Sequence, residues 1–226
     1  MSTLAFLLDV DNTLLKNDEV KEDFDRLLQV EMGPTLTKRF WDIYEEVRHE
    51  KSVIDIPLTL TRLREQTPLS ELDEETYLHV HSIFDHYPFA TELYPQALET
   101  LEYLGTLGKT VIVSDGDPIF QAEKIVNSHL AEAVEGRVML YIHKQEHLDE
   151  VMKQYPADHY VLIDDRPQIL FDSKKYMDDK LTTAFVQQGK YSKEKFPDNY
   201  EPDITVPGIG DLRNYSSEQF FSTKKQ

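Results

Sequence analysis

Short apolar runs alternate with longer amphipathic stretches over much of the chain. The first run covers residues 4–8 and ends directly in Asp9. Similar runs lie at residues 110–113, 138–142, 160–163 and 183–186, and a shorter one lies at 204–206. A continuous apolar run of this length is typical of a strand that is buried on both faces of a parallel sheet. The alternation of such strands with helical stretches predicts an α/β fold built from βαβ units.

Helices are predicted between most of these strands. One helix is expected to begin at Pro95, because the missing N–H of proline costs nothing in the first helical turn, and to end at Gly108. Leucines three residues apart would form its buried face. Another helix is expected after Pro118.

Residues 17–88 follow a different pattern, with helical periodicity and no run typical of a strand. Apolar side chains recur three and four positions apart on both sides of Gly33-Pro34, which predicts two helices separated by a break. Two more helices are predicted at about residues 57–65 and 73–86. The segment therefore resembles an antiparallel bundle of helices.

This change of pattern defines the expected domain organisation. Residues 1–16 and 89–226 would form the α/β core, and residues 17–88 would form an inserted domain shaped like a four-helix bundle. The two connections between core and insertion could act as hinges.

Composition narrows the class of protein. The chain carries 42 acidic and 24 basic side chains, a net charge of −18, so we expect no nucleic-acid partner. We find neither a signal sequence nor an apolar run long enough to span a bilayer, so we expect a cytoplasmic protein without a membrane partner. The absence of cysteine excludes disulfides and thiolate zinc sites. No glycine-rich P-loop occurs, which excludes a P-loop kinase.

Two carboxylates stand where the first strand ends, in the sequence Asp9-Val10-Asp11-Asn12-Thr13. Residues two apart in an extended chain point to the same side, so both carboxylates can face one substrate. One could attack phosphorus while the other protonates the leaving oxygen and then activates water. The alternative is a turn or a helix N-cap, since these residue types favour such positions.

Polar residues also follow three later strands. Ser114-Asp115-Gly116 follows the second strand, Lys144 follows the third, and Asp164-Asp165-Arg166 follows the fourth. Open parallel sheets bind ligands at the edge where their carboxyl ends meet, and a hydroxyl with turn amides can hold phosphate oxygens there. Each group alone could instead be a turn, a solvated lysine, a helix cap or a local ion pair.

Together these strand ends predict a metal site. Asp9, Asp11, Asp164 and Asp165 would place about four negative charges in one crevice, and only a cation would relieve their repulsion. Oxygen ligands without His or Cys favour Mg²⁺. One such ion and Lys144 would leave a charge of roughly −1, so a phosphoryl dianion would need further donors from Ser114 and backbone amides.

In chain order the strand ends read DVDNT from Asp9, SDG from Ser114, a lone Lys144, and DD from Asp164. This order resembles the four-motif signature of the haloacid dehalogenase superfamily, over nearly the whole chain. The resemblance implies a Rossmann-like three-layer sandwich, with a helical C1 cap inserted directly after the first motif. It implies that Asp9 is the nucleophile, which forms an aspartyl phosphate, and that Asp11 is the general acid and base.

The resemblance also implies the binding residues. Ser114 and Lys144, with the adjoining Asp115, would bind the phosphoryl group. Asp9, an acid of the last motif and the backbone carbonyl of Asp11 would bind Mg²⁺.

The chain departs from the family pattern in two motifs. Many relatives carry a further acid several residues into the last motif, where this chain has residues 168–170 without one, so the adjacent pair Asp164 and Asp165 must serve. Which of the two contacts the metal stays open. Gln145 replaces the proline that usually follows the lysine, and Asp115 stands where relatives often carry Asn.

Asp11 favours phosphoryl transfer, because dehalogenases of the superfamily lack an acid two residues after the nucleophile and have no leaving oxygen to protonate. We therefore predict a Mg²⁺-dependent phosphatase, a monomer or homodimer, that acts on a small phosphorylated metabolite. A cap that excludes water suits such a substrate. A phosphomutase with the same motifs and a non-catalytic module that binds a phosphorylated ligand are the alternatives.

Overall fold

The fold is built around a parallel sheet of six strands in the order β3-β2-β1-β4-β5-β6. The computed structural model describes residues 3–221, and the first two and last five residues of the predicted core lie outside the described residues. The strands are β1 (Leu4–Leu8), β2 (Lys109–Asp115), β3 (Val138–Tyr141), β4 (His159–Asp164), β5 (Leu181–Val186) and β6 (Ile204–Val206).

Helices cover the sheet and fill the segment between β1 and β2. They are α1 (Asn17–Lys51), α2 (Ile56–Gln66), α3 (Glu74–Asp85), α4 (Ala97–Leu107), α5 (Pro118–Asn127), α6 (Leu130–Ala133), α7 (Leu148–Gln154), α8 (Pro167–Met177) and α9 (Ser217–Phe220). Short 3₁₀ turns occupy Phe89–Glu92, Lys144–Glu146, Asp178–Lys180, Lys190–Lys193 and Ile209–Asn214. The predicted α/β, Rossmann-like fold is confirmed.

Strand β1 lies at the centre of the sheet, paired in parallel with β2 and β4. All of its residues are buried. Phe6 and Leu8 belong to the hydrophobic core on one face of the sheet, and Ala5 and Leu7 belong to the core on the other. Burial on both faces explains the continuous apolar run in the sequence and gives the three-layer arrangement.

The inserted segment holds the four predicted helical segments, because non-helical backbone angles at Gly33 divide α1 into two helices across a kink. Gly33 has φ 76° and ψ 168°, a conformation that favours glycine, and Pro34 follows it. The prediction of two helices separated by a break at Gly33-Pro34 is confirmed. The two halves of α1, with α2 and α3, provide four helical segments. The proposed domain division at residues 17–88 stays a prediction.

Aromatic packing joins these helices to each other and to the sheet layer. The Phe24 ring centroid lies 4.6 Å from that of Phe84 and 6.5 Å from that of Phe120 on α5. The Phe40 ring stacks on Phe84 at 5.4 Å. A continuous hydrophobic cluster therefore runs from the sheet into the inserted helices.

The polar C-terminal region contains more structure than its sequence pattern predicts. Strand β6 occurs as expected, but α9 also forms, and its Phe220 is buried against Phe6 with ring centroids 5.0 Å apart. The apolar residues there are too sparse to show a period. Within residues 3–221, none of the helices has the length and apolar character that crossing a membrane requires.

Candidate active site

Asp9 lies at the carboxyl end of the central strand, where it faces Lys144. The Asp9 backbone N–H donates to the carbonyl of Ile163 at 3.0 Å, which continues the pairing with β4. The Lys144 ammonium donates to Asp9 Oδ1 and lies 2.7 Å from Asp164 Oδ2. All three side chains are buried, and Lys144 is only 1% exposed. The structure thus brings together the first, third and fourth predicted motifs.

Three carboxylates form a buried cluster beside this lysine. Oxygen atoms of Asp9, Asp164 and Asp165 all lie within 4.8 Å of one another. Asp164 Oδ1 accepts the Arg166 backbone N–H at 2.8 Å, whereas Asp165 Oδ2 is buried without a hydrogen-bond partner in the described part of the chain. A buried carboxylate oxygen without a partner is costly, and a hard cation would satisfy it. The cluster therefore fits the predicted Mg²⁺.

The electrostatics of the cluster favour protonation when no cation is present. Burial raises the pKa of Asp9 to about 7; the Lys144 ammonium opposes that shift and the Asp164 carboxylate adds to it. Burial, followed by the charges of Asp164 and Asp9, raises the pKa of Asp165 to about 9. Burial disfavours the charged form of Lys144, but the Asp164 and Asp9 carboxylates outweigh it and raise the pKa of Lys144.

These shifts predict how the stability of the metal-free protein depends on pH. A carboxyl group whose pKa is raised by folding stabilises the fold fully below its unfolded-state pKa, and this contribution is lost as pH rises through the folded-state pKa. The window runs from 3.8 to about 7 for Asp9 and from 3.8 to about 9 for Asp165. We expect the melting temperature in EDTA to fall between about pH 5 and pH 8.5.

Mg²⁺ is expected to reverse this trend, because it binds ionised carboxylates and stabilises the state that binds it. Its effect on the melting temperature should be larger at about pH 8.5 than at pH 5. Differential scanning fluorimetry measures the melting temperature with Mg²⁺ and with EDTA at each pH. Asp165→Asn is the matched variant, in which the effect of Mg²⁺ on the melting temperature should be smaller. An equal Mg²⁺ effect at both pH values would contradict the assignment.

The Asp11 carboxylate lies outside the buried cluster and is held by Lys124. Lys124 Nζ, on α5, donates to Asp11 Oδ1 at 2.7 Å and to Asn17 Oδ1 at 3.1 Å. The Asp11 side chain is 26% exposed, whereas the lysine is buried. Roles for Asp11 as acid, base and metal ligand stay predictions, the last through its backbone carbonyl.

Ser114 and Asp115, at the end of β2, differ in their surroundings. The buried Ser114 Oγ accepts a hydrogen bond from Gln121 Nε2 at 3.0 Å, so its own hydroxyl hydrogen is available for a ligand. Asp115 Oδ1 accepts the Lys144 backbone N–H at 2.7 Å, and Oδ2 accepts Arg166 at 2.6 Å. A carboxylate repels a phosphoryl group, so the predicted phosphate contact of Asp115 would have to come from its backbone N–H.

Sequence reasoning missed Lys124 and Gln121 and gave Arg166 only a local partner. The buried face of α5 consists of Phe120, Gln121, Lys124 and Ile125. Two polar side chains on the inward face of an amphipathic helix are the signal that could have revealed this part of the site. Arg166 pairs with Asp115, 51 residues away in sequence, which no local pattern indicates.

A chamber of about 410 Å³ lies over this edge of the sheet. Its lining includes Asp9, Asp11 and Asp165 from the sheet edge, and Lys21 and Arg48 from α1. The inserted segment therefore contributes directly to the walls of the site.

This fold and site define a class, the hydrolases with a Rossmann-like fold of the haloacid dehalogenase type, in which an acidic cluster and a lysine lie at the carboxyl edge of a parallel sheet. A haloacid dehalogenase-like hydrolase from Burkholderia xenovorans LB400 is 41% identical to this chain, with a TM-score of 0.86. The alignment covers 97% of this chain and 99% of that one. The chain therefore belongs to the haloacid dehalogenase superfamily.

More distant structures share the fold alone. L-2-haloacid dehalogenase from Xanthobacter autotrophicus, with chloropropionic acid covalently bound, is 18% identical, with a TM-score of 0.58 over 93% of this chain and 96% of that one. The HAD-hydrolase YfnB from Bacillus subtilis, bound to magnesium, is 14% identical, with a TM-score of 0.61 over 95% of this chain and 98% of that one. Neither a family model nor a curated protein matches the sequence.

Proposed function

We propose that this hydrolase is a Mg²⁺-dependent phosphatase that attacks a small phosphorylated metabolite with Asp9. The observation that carries the proposal is the buried cluster of Asp9, Asp164 and Asp165, whose oxygens lie within 4.8 Å of one another beside Lys144. A cation bound there would relieve the repulsion among the ionised carboxylates and would lie beside Asp9, the proposed nucleophile.

In the proposed reaction, an Asp9 oxygen attacks phosphorus and an aspartyl phosphate forms as the leaving alcohol departs. Lys144 holds the Asp9 carboxylate in place and offsets part of the phosphoryl charge. The Ser114 hydroxyl donates to a phosphoryl oxygen. Mg²⁺, when bound by Asp9 and the Asp164–Asp165 pair, would supply electrostatic neutralisation of the carboxylates and the phosphoryl group.

Asp11 gives a proton to the leaving oxygen and later takes one from the water that attacks the aspartyl phosphate. Lys124 engages Asp11 Oδ1 at 2.7 Å, which leaves Oδ2 as the oxygen that exchanges the proton. Lys124 is thus a positioning residue, since it contacts Asp11 rather than substrate.

We propose residues 17–88 as a cap that closes over the substrate. The lining of the chamber supports this proposal. Lys21, Arg48 and Ile54 come from the inserted segment, whereas Asp9 and Asp165 come from the sheet edge. Closure would exclude water that could otherwise compete at the reacting centre.

Dehalogenation is the rival activity, since relatives in the fold include haloacid dehalogenases. Displacement of a halide needs neither a proton donor nor a cation. Asp11 and the buried carboxylate cluster with its orphaned Asp165 oxygen therefore support phosphoryl transfer.

Release of phosphate from p-nitrophenyl phosphate tests the proposal, measured with Mg²⁺ and with EDTA. We expect turnover with Mg²⁺ and almost none with EDTA. Chloride release from 2-chloropropionate is measured in parallel. Metal-independent chloride release without phosphatase activity would show that the chain is a dehalogenase.

A further inference from the structure

A narrow recess extends from the chamber between α1 and α5. Its volume is about 40 Å³, and it shares Asp11 and Lys21 with the chamber lining. Aromatic side chains make up much of its wall, including Phe24, Trp41 and Phe120. Because the recess begins at Asp11, where the leaving oxygen is protonated, it lies where the non-phosphoryl part of a substrate would extend.

Tyr44 provides an unused polar group in this wall. The side chain is 3% exposed, and its hydroxyl is buried without a hydrogen-bond partner in the described part of the chain. Nearly all buried hydroxyls in folded proteins have a partner, so this one is an exception that a bound ligand would explain.

Lys21 provides an unpaired positive charge beside the same tyrosine. Its ammonium nitrogen lies 5.0 Å from the centroid of the Tyr44 ring, and no carboxylate in residues 3–221 pairs with it. Three other cations around the site have acidic partners, since Lys124 pairs with Asp11, Arg166 with Asp115 and Arg48 with Glu45. The Lys190 ammonium lies over the Tyr191 ring instead.

Nearby positive charges also repel the Lys21 ammonium. Burial, then the positive charges of Lys190 and Arg48, lower the pKa of Lys21 to about 8, although Asp11 and Glu45 act in the opposite direction. An anion at this position would relieve the repulsion and accept hydrogen bonds from both the ammonium and the Tyr44 hydroxyl.

We propose that the substrate carries a carboxylate in addition to its phosphoryl group, and that Lys21 and Tyr44 bind this carboxylate in the recess. The inference rests on the proposed phosphatase function. A volume of about 40 Å³ suits a carboxylate, since a single water needs roughly 10–15 Å³ measured in the same way. An aromatic ring needs a larger cavity.

Matched pairs of substrates test the proposal. One pair is 3-phosphoglycerate and glycerol 3-phosphate, and the other is phosphoglycolate and 2-hydroxyethyl phosphate; each pair differs by a carboxylate in place of a neutral alcohol. We expect kcat/KM of the wild-type protein to favour the carboxylate in at least one pair by roughly 10- to 100-fold, the range expected for hydrogen bonds to a charged group.

Two variants should lower this preference for the carboxylate, mainly by raising KM for the carboxylate substrate. We expect Lys21→Met to reduce the preference to near unity and Tyr44→Phe to reduce it by roughly tenfold. Lys38→Met is the matched control, because Lys38 also lies on α1 but pairs with Asp42 on the surface. Tyr44→Phe should melt no lower than the wild-type protein, since it removes only an unpartnered hydroxyl. That variant keeps the test valid if Lys21→Met folds poorly.

The two proposals fail in different ways. If p-nitrophenyl phosphate is hydrolysed but neither pair shows a preference for the carboxylate, the carboxylate site is wrong and the phosphatase function stands. A preference that persists in both variants would also overturn the site. If no phosphomonoester is hydrolysed, the phosphatase function itself is wrong.

Discussion

Replacement of Asp9 by Asn is expected to lower the rate of phosphate release by roughly 1000-fold or more, as loss of a covalent nucleophile does in other enzymes. The amide of Asn is a poor nucleophile, but it occupies nearly the same volume. Lys144 would keep Asp164 as its partner at 2.7 Å, so the variant should fold. The measurement is kcat with p-nitrophenyl phosphate and Mg²⁺, alongside a melting curve for each protein.

Asp179→Asn is the matched control, because Asp179 is exposed and lies in a 3₁₀ turn outside the chamber lining. It should have the wild-type rate. A folded Asp9→Asn protein that retains more than about a tenth of the wild-type rate would exclude Asp9 as the nucleophile.

Lys144→Met should impair both stability and activity. The ammonium lies between the Asp9 and Asp164 carboxylates and is 1% exposed, so its loss leaves two buried acids without their cation. Loss of one partner from a buried ion pair typically costs about 3–5 kcal/mol. We expect a decrease of that order in the free energy of unfolding, measured in urea without Mg²⁺, and a decrease of about 100-fold or more in the rate with Mg²⁺.

The exposed Lys175 on α8 offers the control, since Lys175→Met removes the same charge away from the cluster. Its unfolding free energy should stay within about 0.5 kcal/mol of the wild-type value. A Lys144→Met protein as stable and as active as Lys175→Met would show that the lysine does not neutralise the cluster.

The sheet could be predicted from the sequence because burial on both faces forces continuous apolar runs. Residues 4–8 illustrate this, as all are buried in the structure and no polar side chain interrupts them. The break at Gly33 could also be predicted, since glycine and proline together interrupt a helix. The packing of Phe24 and Phe40 on Phe84 of α3 could not, because it depends on how the helices are placed relative to one another.

For the candidate site, the sequence predicted which side chains gather but not how they pair. Asp9, Lys144 and Asp164 meet because parallel strands end at one edge, a property of topology. The partner of Asp11 comes instead from the inward face of α5, and that of Asp115 from the loop after β4. Such pairings depend on rotamers and on the relative placement of elements, which residue spacing does not contain.

For the recess beside Tyr44, too, the sequence predicts which residues are buried but not which partners they have. The apolar residues that recur at helical spacing after Pro34 predict a buried helix face, and Tyr44 belongs to it. That its hydroxyl lacks a partner while Lys21 lies over its ring follows only from three-dimensional packing. Specificity is therefore less predictable from sequence than catalysis, because its residues need no fixed motif.

The most direct test of the account is a crystal structure of the protein with Mg²⁺ and beryllium fluoride, which mimics an aspartyl phosphate. We predict a beryllium fluoride group bonded to Asp9, with one Mg²⁺ between Asp9 and the Asp164–Asp165 pair. An unmodified Asp9, or a Mg²⁺ ion bound elsewhere while this cluster is empty, would contradict it.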